Sequence, residues 1–136
     1  MARGLPPPPA MRHEKRVLVV DDNQVIQDVL KQFLGRDYTV DVVGSASLAL
    51  AAVVQKNPDA ILLDVRMPGV DGLSLLKSLR DIGVKTPIFV MSGYDSAQVG
   101  LEALESGATG YLAKPFDLKQ VDRLIANAVA QPVPVG

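Results

Sequence analysis

The sequence contains no cysteine at any of its 136 positions. Disulfide bonds, zinc sites built from thiolates and cysteine nucleophiles are therefore excluded. Histidine is almost as scarce, because the single copy, His13, lies in a proline-rich segment near the N-terminus. We expect this histidine to be inert.

The chain also lacks an excess of charge and a long hydrophobic run. Its 14 basic and 15 acidic residues give a formal net charge of −1 at pH 7, so it has no strong attraction for nucleic acid or anionic membranes. No apolar run approaches the roughly 20 residues that span a bilayer. The first 15 residues, MARGLPPPPAMRHEK, lack the apolar core of a signal peptide. We therefore expect a cytoplasmic protein with no membrane insertion and no direct contact with nucleic acid.

The composition fits one folded domain with a proline-containing segment at each end. Apolar residues make up 48% of the chain, which is well above a disordered composition. Consecutive prolines favour polyproline II structure and cannot join the interior of a sheet. We predict a disordered proline-rich tail over residues 1–14, a folded domain over 15–130 and a C-terminal tail over 131–136.

Strand-like and helix-like patterns alternate within the predicted domain. Five short runs of apolar and β-branched residues predict strands, and apolar residues at helical spacing, such as Ile26, Val29, Leu30 and Phe33, follow them. The predicted strands are RVLVV (16–20), YTVDVV (38–43), DAILLD (59–64), PIFVMS (87–92) and GYLAK (110–114). Five strands that alternate with five helices predict an α/β doubly wound fold, in which a parallel sheet is covered on both faces.

Polar side chains occupy the carboxyl ends of four of the five predicted strands. Asp21 and Asp22 follow the first strand, Asp64 ends the third, Ser92 the fourth and Lys114 the fifth. Each has a plainer explanation when taken singly: Asp22 or its neighbour suits a helix cap, Asp64 and Ser92 suit turns, and Lys114 suits a solvated surface. Together they favour one shared site, because open parallel sheets bind ligands beyond the carboxyl ends of their strands.

The residue types at these strand ends indicate the chemistry. Three carboxylates that converge need a cation, because repulsion and burial would otherwise protonate one of them. Oxygen ligands without nearby histidine or cysteine favour Mg²⁺, which commonly binds one or two carboxylates together with a phosphate oxygen. A serine hydroxyl and a lysine ammonium suit the remaining oxygens of such a group. The sequence therefore predicts a magnesium site that also holds a phosphoryl group.

The motifs VLVVDDN, ILLDVRMPGVDGL, PIFVMSG and GYLAKPF, in this order, resemble the signatures of the receiver domain of two-component response regulators. The resemblance covers about residues 15–130 and implies a flavodoxin-like (βα)5 fold with a sheet in the order 2-1-3-4-5. It implies that Asp64 is the phospho-acceptor, that Asp22 is a direct Mg²⁺ ligand and that Asp21 is a ligand through water. The backbone carbonyl of Arg66 would complete the protein ligands.

The same resemblance assigns roles around the acceptor. Ser92 and Lys114 are expected to contact the phosphoryl oxygens, and Ser92 and Tyr111 to form a conformational switch. The side chains of Arg66 and Tyr94 are expected to border the phosphorylated carboxylate and to set the lifetime of the phosphoryl group. Output is expected through the face built by the fourth helix, the fifth strand and the fifth helix (the α4-β5-α5 face).

The implied function is that of a phosphorelay receiver. Asp64 would accept a phosphoryl group from a phosphohistidine on a histidine kinase or a histidine phosphotransfer protein, and hydrolysis would reset the switch. Such a chain is not an enzyme for external substrates, and it acts on a downstream protein partner. A second possibility is a receiver cut from a longer response regulator or hybrid histidine kinase. A third is a phosphohydrolase with an aspartyl-phosphate intermediate, but those enzymes usually carry an acid where this chain has Arg66.

Overall fold

The computed structural model of the chain describes residues 15–67, 70–93 and 97–130, without the side chains of Val70 and Ala97. Both predicted tails and Tyr94 lie outside the described residues. Strands and helices alternate along the chain. The strands of the main sheet are β1 (Arg16–Val20), β2 (Thr39–Val43), β3 (Ala60–Asp64), β4 (Ile88–Ser92) and β5 (Gly110–Ala113). The helices are α1 (Gln24–Leu34), α2 (Ala46–Lys56), α3 (Gly72–Asp81), α4 (Ala97–Glu105) and α5 (Leu118–Ala130).

The main sheet is parallel throughout and has the order β2-β1-β3-β4-β5. The predicted doubly wound fold and strand order are therefore confirmed. One row of paired residues crosses the sheet near its carboxyl edge: Val43, Val20, Leu63, Val90 and Tyr111. This register brings the residues that follow Val20 and Leu63 side by side at that edge.

Alternate residues of the central strands pack on opposite faces of the sheet, as parallel sheets covered by helices require. Leu18 and Ile61 face a cluster that includes Val53 of α2 and Leu76 of α3. The opposite face carries a second cluster, which contains Val17, Val19, Leu62, Leu30 and Leu34 of α1, and Val121 and Ile125 of α5. The two clusters fill the space between the sheet and the helices on each of its faces.

The helix caps resolve an ambiguity at the end of β1. The side-chain oxygen of Asn23 accepts hydrogen bonds from the backbone N–H groups of Val25 and Ile26, at 2.9 and 3.2 Å. Asn23 therefore caps α1, and Asp22 does not. Side chains also cap the next two helices, with Ser45 at the start of α2 and Asp71 at the start of α3.

A short antiparallel ribbon, which the sequence did not predict, lies between β3 and α3. It pairs Arg66–Met67 with Val70–Asp71. The ribbon folds the chain back over the carboxyl edge of the sheet directly after Asp64.

At the opposite edge of the sheet, where the strands begin, the side chain of Arg80 connects two loops. Its guanidinium donates from Nε to the carbonyl of Gly107 at 2.9 Å, and from Nη1 to the carbonyls of Val84 and Thr86 at 2.8 Å each. Gly107 adopts φ +107°, a conformation that favours glycine. Arg80 thus fastens the C-terminal end of α4 to the loop that precedes β4.

Among the helices in the described ranges, none has both the length and the apolar character that a membrane span requires.

Candidate functional site

Backbone hydrogen bonds continue the sheet beyond the strand ends and bring the predicted site residues together. Asp21 N–H donates to the carbonyl of Val43 at 3.1 Å, next to β1. Lys114 N–H donates to the carbonyl of Ser92 at 2.6 Å, next to β4. The structure therefore places Asp21, Asp64, Ser92 and Lys114 at one edge of the sheet, as predicted from the strand ends.

Three carboxylates converge at this edge. One oxygen each from Asp21, Asp22 and Asp64 lie within 4.8 Å of one another. Asp21 is fully buried and Asp64 is nearly so, whereas Asp22 is exposed. A cluster of carboxylate oxygens that opens to solvent on one side fits a hard divalent cation that keeps part of its hydration shell.

The two adjacent aspartates differ in their partners. Asp21 accepts a hydrogen bond from the backbone N–H of Asn23 at 2.9 Å and forms an ion pair with the Lys114 ammonium at 2.8 Å, one on each carboxylate oxygen. The carboxylate of Asp22 forms neither a hydrogen bond nor an ion pair with the rest of the described chain. Asp22 is therefore free to bind a metal directly, whereas Asp21 is already engaged.

Asp64 lies in the centre of the site. One of its oxygens accepts a hydrogen bond from the backbone N–H of Arg66 at 3.1 Å, and the other lies 3.5 Å from the Lys114 ammonium. Burial raises the pKa of Asp64 above its usual value, and the charge of Asp21 acts in the same direction, while the Arg66 N–H and Lys114 oppose both. A nearby cation would thus stabilise the ionised form of Asp64.

Two buried hydroxyl groups, those of Ser92 in β4 and Tyr111 in β5, have no hydrogen-bond partner among the described residues. Buried hydroxyls are usually paired, so an unpaired one points to strain or to a ligand. Ser92 follows Met91, which pairs with Asp64 across the sheet. The Ser92 hydroxyl is therefore suited to an oxygen of a group bound at Asp64.

The ring of Tyr111 packs against Gly100 of α4, a contact that sequence reasoning missed. A Cβ atom at position 100 would lie 3.2 Å from Cδ2 of the ring and 3.3 Å from Cγ. The hydroxyl of this tyrosine is already buried in the structure. Because glycine at position 100 has no side chain, the Tyr111 ring can pack directly against the backbone of α4.

Gly72 allows the ribbon to fold against Asp64. A Cβ atom at position 72 would lie 2.5 Å from Cα of Val65 and 2.6 Å from the carbonyl oxygen of Asp64, both far inside contact distance. The Gly72 N–H also donates to the Val65 carbonyl at 3.0 Å. In the sequence, Gly72 directly follows Asp71, which is a common helix-cap residue type. This pattern does not distinguish a helix start from a close backbone approach.

Of the two side chains expected to border the acceptor, the structure describes only that of Arg66. Arg66 lies in the ribbon with an exposed side chain, and its backbone N–H contacts Asp64. Tyr94 falls in the segment 94–96, outside the described residues.

Comparisons with known proteins agree with this geometry. The model of the response regulator receiver domain family matches residues 17–126. NtrC of Salmonella typhimurium, a DNA-binding transcriptional regulator, is 36% identical over 115 residues, which cover 84% of this chain and 24% of NtrC. The response regulator MprA of Mycobacterium ulcerans is 38% identical over 107 residues, which cover 78% of this chain and 46% of MprA. The chain thus spans less than half the length of either relative.

Solved structures share the fold over nearly the whole described region. The receiver domain of Francisella response regulator 1452 has a TM-score of 0.79 and 34% identity, over 85% of this chain and 96% of that one. The BeF3-activated N-terminal receiver domain of Klebsiella pneumoniae RstA has a TM-score of 0.81 and 26% identity, over 86% and 100% of the two chains. With the family match over 110 residues, these likenesses show that the chain belongs to the receiver domain family of response regulators in two-component signalling.

Proposed function

We propose that this chain accepts a phosphoryl group on Asp64 from a phosphohistidine of a histidine kinase or a histidine phosphotransfer protein, with Mg²⁺ at the acidic cluster. One observation carries the proposal: three carboxylate oxygens lie within 4.8 Å of one another beside the Lys114 ammonium and the unpaired Ser92 hydroxyl. Carboxylates suit the metal, and the ammonium and hydroxyl suit phosphoryl oxygens.

The metal would be held by Asp22 and Asp64 directly, by the backbone carbonyl of Arg66, and by Asp21 through water. When bound, Mg²⁺ offsets negative charge at the reacting phosphoryl group. The engagement of Asp21 by Lys114 and by the Asn23 N–H supports an indirect role for Asp21.

In the proposed transfer, a carboxylate oxygen of Asp64 attacks phosphorus in line, and the bond from phosphorus to the imidazole nitrogen of the donor breaks. The Arg66 N–H holds one oxygen of Asp64 and so orients the carboxylate for attack. Lys114 and Ser92 donate to the phosphoryl oxygens. Attack of water on the acyl phosphate then releases phosphate and restores Asp64.

We propose that the chain is a switch and not an enzyme for external phosphate esters. Position 66 carries arginine, where hydrolases with an aspartyl-phosphate intermediate usually carry an acid. Its output would pass to a protein partner, or to a further part of a longer regulator, through the α4-β5-α5 face. Leu101 and Leu104 of α4 are exposed on the surface, at 62% and 51%, and apolar side chains of this kind suit a protein contact.

Incubation with Mg²⁺ and acetyl phosphate tests the proposal. The intact mass should rise by one phosphoryl group, and Asp64→Asn should abolish the increase because an amide is not a competent nucleophile. Asp28→Asn, an exposed position on α1, serves as the matched control and should label normally. Labelling of Asp64→Asn at the wild-type level would contradict the assignment, and turnover of p-nitrophenyl phosphate would favour a hydrolase.

A further inference from the structure

Gln27 of α1 contacts the peptide group that joins the two adjacent aspartates. Its side-chain amide nitrogen donates a hydrogen bond to the backbone carbonyl of Asp21. Only the nitrogen end of a glutamine amide carries hydrogens, so the opposite orientation would set two oxygens against each other. The contact therefore fixes both the glutamine side chain and the carbonyl.

This hydrogen bond completes the polar contacts of Asp21. The N–H of Asp21 donates to Val43, and its carboxylate oxygens accept from Asn23 and Lys114. The position of Asp22 is less constrained, because its exposed carboxylate has no partner among the described residues. The Asp22 carboxylate is therefore placed only by its own side-chain torsions and by the backbone between residues 21 and 22.

The local packing shows how Gln27 restrains that backbone. A Cβ atom at Gly44 would lie 3.5 Å from the Gln27 amide nitrogen, 3.8 Å from Cα of Asp22 and 3.9 Å from the Asp21 carbonyl oxygen. The amide thus occupies the space between the end of β1 and the loop that follows β2. A rotation of the Asp21–Asp22 peptide would break the Gln27 hydrogen bond and would change the backbone torsion angle φ of Asp22, on which the direction of its side chain depends.

We propose that Gln27 is a positioning residue of the metal site, which holds the Asp22 carboxylate within the cluster by fixing the peptide that precedes it. The inference rests on the proposed function, because it assumes that the cluster binds Mg²⁺. Loss of an outer partner of a metal ligand typically weakens metal binding 10- to 100-fold. Gln27 acts through one peptide group, so we expect a loss of about tenfold.

Calorimetric titration with Mg²⁺ tests the inference on the wild type, Gln27→Met and Gln32→Met. Methionine keeps the length of glutamine but lacks the donor, and Gln32 is an exposed residue of the same helix. Gln27→Met should bind Mg²⁺ about tenfold more weakly while remaining folded in EDTA, although its melting temperature should fall because the Asp21 carbonyl loses its donor. Gln32→Met should bind as the wild type does. Equal affinity of Gln27→Met and the wild type would overturn the inference.

A second measurement needs no variant of Gln27. In labelled, metal-free wild type, NMR should detect a scalar coupling across the hydrogen bond, between the Gln27 side-chain nitrogen and the Asp21 carbonyl carbon. Its absence would overturn the inference even if Gln27→Met did not fold.

Asp22→Asn separates the failure of this inference from the failure of the proposed function. If the wild type does not bind Mg²⁺, or if Asp22→Asn binds it equally well, the metal site and the inference both fail. If Asp22→Asn loses binding while Gln27→Met keeps it, the metal site stands and only the role of Gln27 is wrong.

Discussion

Lys114 forms its shorter ion pair with Asp21, at 2.8 Å, while its ammonium lies 3.5 Å from Asp64, the proposed acceptor. One ammonium therefore serves two buried carboxylates, and the exposed Asp22 completes the acidic cluster. When all four groups are ionised, the site carries two excess negative charges. A single divalent cation would neutralise them.

Asp22→Asn should weaken Mg²⁺ binding by at least about tenfold, because it removes a proposed direct ligand. The same change relieves repulsion with Asp21 and Asp64, so the melting temperature in EDTA should rise by about 2 °C. Calorimetric titration and thermal unfolding measure the two effects. Asp28→Asn is the control for loss of a carboxylate elsewhere, and a lower melting temperature of Asp22→Asn in EDTA would show that the cluster is not strained.

Asp64 should make the stability of the metal-free protein depend on pH. Because burial raises its pKa in the folded state, the folded chain binds this proton more tightly than the unfolded chain does. The destabilisation is therefore fully present above the raised pKa, shrinks as the pH falls through it, and is absent below the ordinary pKa of the unfolded carboxyl group. In urea unfolding with EDTA, Asp64→Asn should be more stable than the wild type at about pH 8, and the difference should shrink on acidification. A difference that grows as the pH falls would contradict this direction of the shift.

Gly72→Ala should destabilise the fold by about 2 kcal/mol and slow the phosphorylation of Asp64. The added methyl group would lie 2.6 Å from the Asp64 carbonyl oxygen, so the ribbon or the end of β3 must move. Gly44→Ala is a matched control, because its methyl group would meet other atoms only at 3.5 Å or more, and it should cost less than about 0.5 kcal/mol. Urea unfolding checks both values, and equal losses would show that the close approach at Gly72 is easily relieved.

Gly100→Ala should displace the Tyr111 ring and weaken the response to a phosphoryl mimic. A Cβ atom would lie 3.2 Å from the ring, although alanine favours the helix by about 1 kcal/mol. Beryllofluoride with Mg²⁺ should change amide exchange in the wild type most over α4 and β5, and this change should be smaller in Gly100→Ala. Glu105→Ala, an exposed substitution in the same helix, should respond as the wild type does. A response confined to α1 in the wild type would place the output on another face.

The sequence was sufficient for the sheet and for most of the site, because both follow from topology. Continuous apolar runs in β1, β3 and β4 indicate burial on both faces, and parallel strands bring their carboxyl ends to one edge. Asp64 and Lys114, far apart in the chain, are therefore predicted neighbours. Close contacts between individual residues do not follow from topology. The contacts of Gly72, Gly100 and Gln27 with their neighbours could therefore not be predicted from the sequence and are visible only in the structure.

The sequence also could not predict whether Asp22 or Asn23 caps α1, and only the structure distinguishes them. Both side chains present an oxygen that accepts from helix N–H groups, so residue type does not decide between them. The difference matters for the site, because Asp22, which does not cap the helix, is left to contribute its carboxylate to the acidic cluster.

Arg80 restrains the C-terminal end of helix α4, so that any tilt of the helix is largest at its N-terminal end. The helix is fastened through the Gly107 carbonyl just beyond its C-terminal end, while its other end, at Ala97, follows Ser92 in the chain. Its nine residues give it a length of about 14 Å. A tilt of about 10° around the fastened end moves the Ala97 end by about 2 Å. A small displacement near Ser92 would thus move the surface of the helix by an amount that is largest at its first turn and smallest beside Arg80.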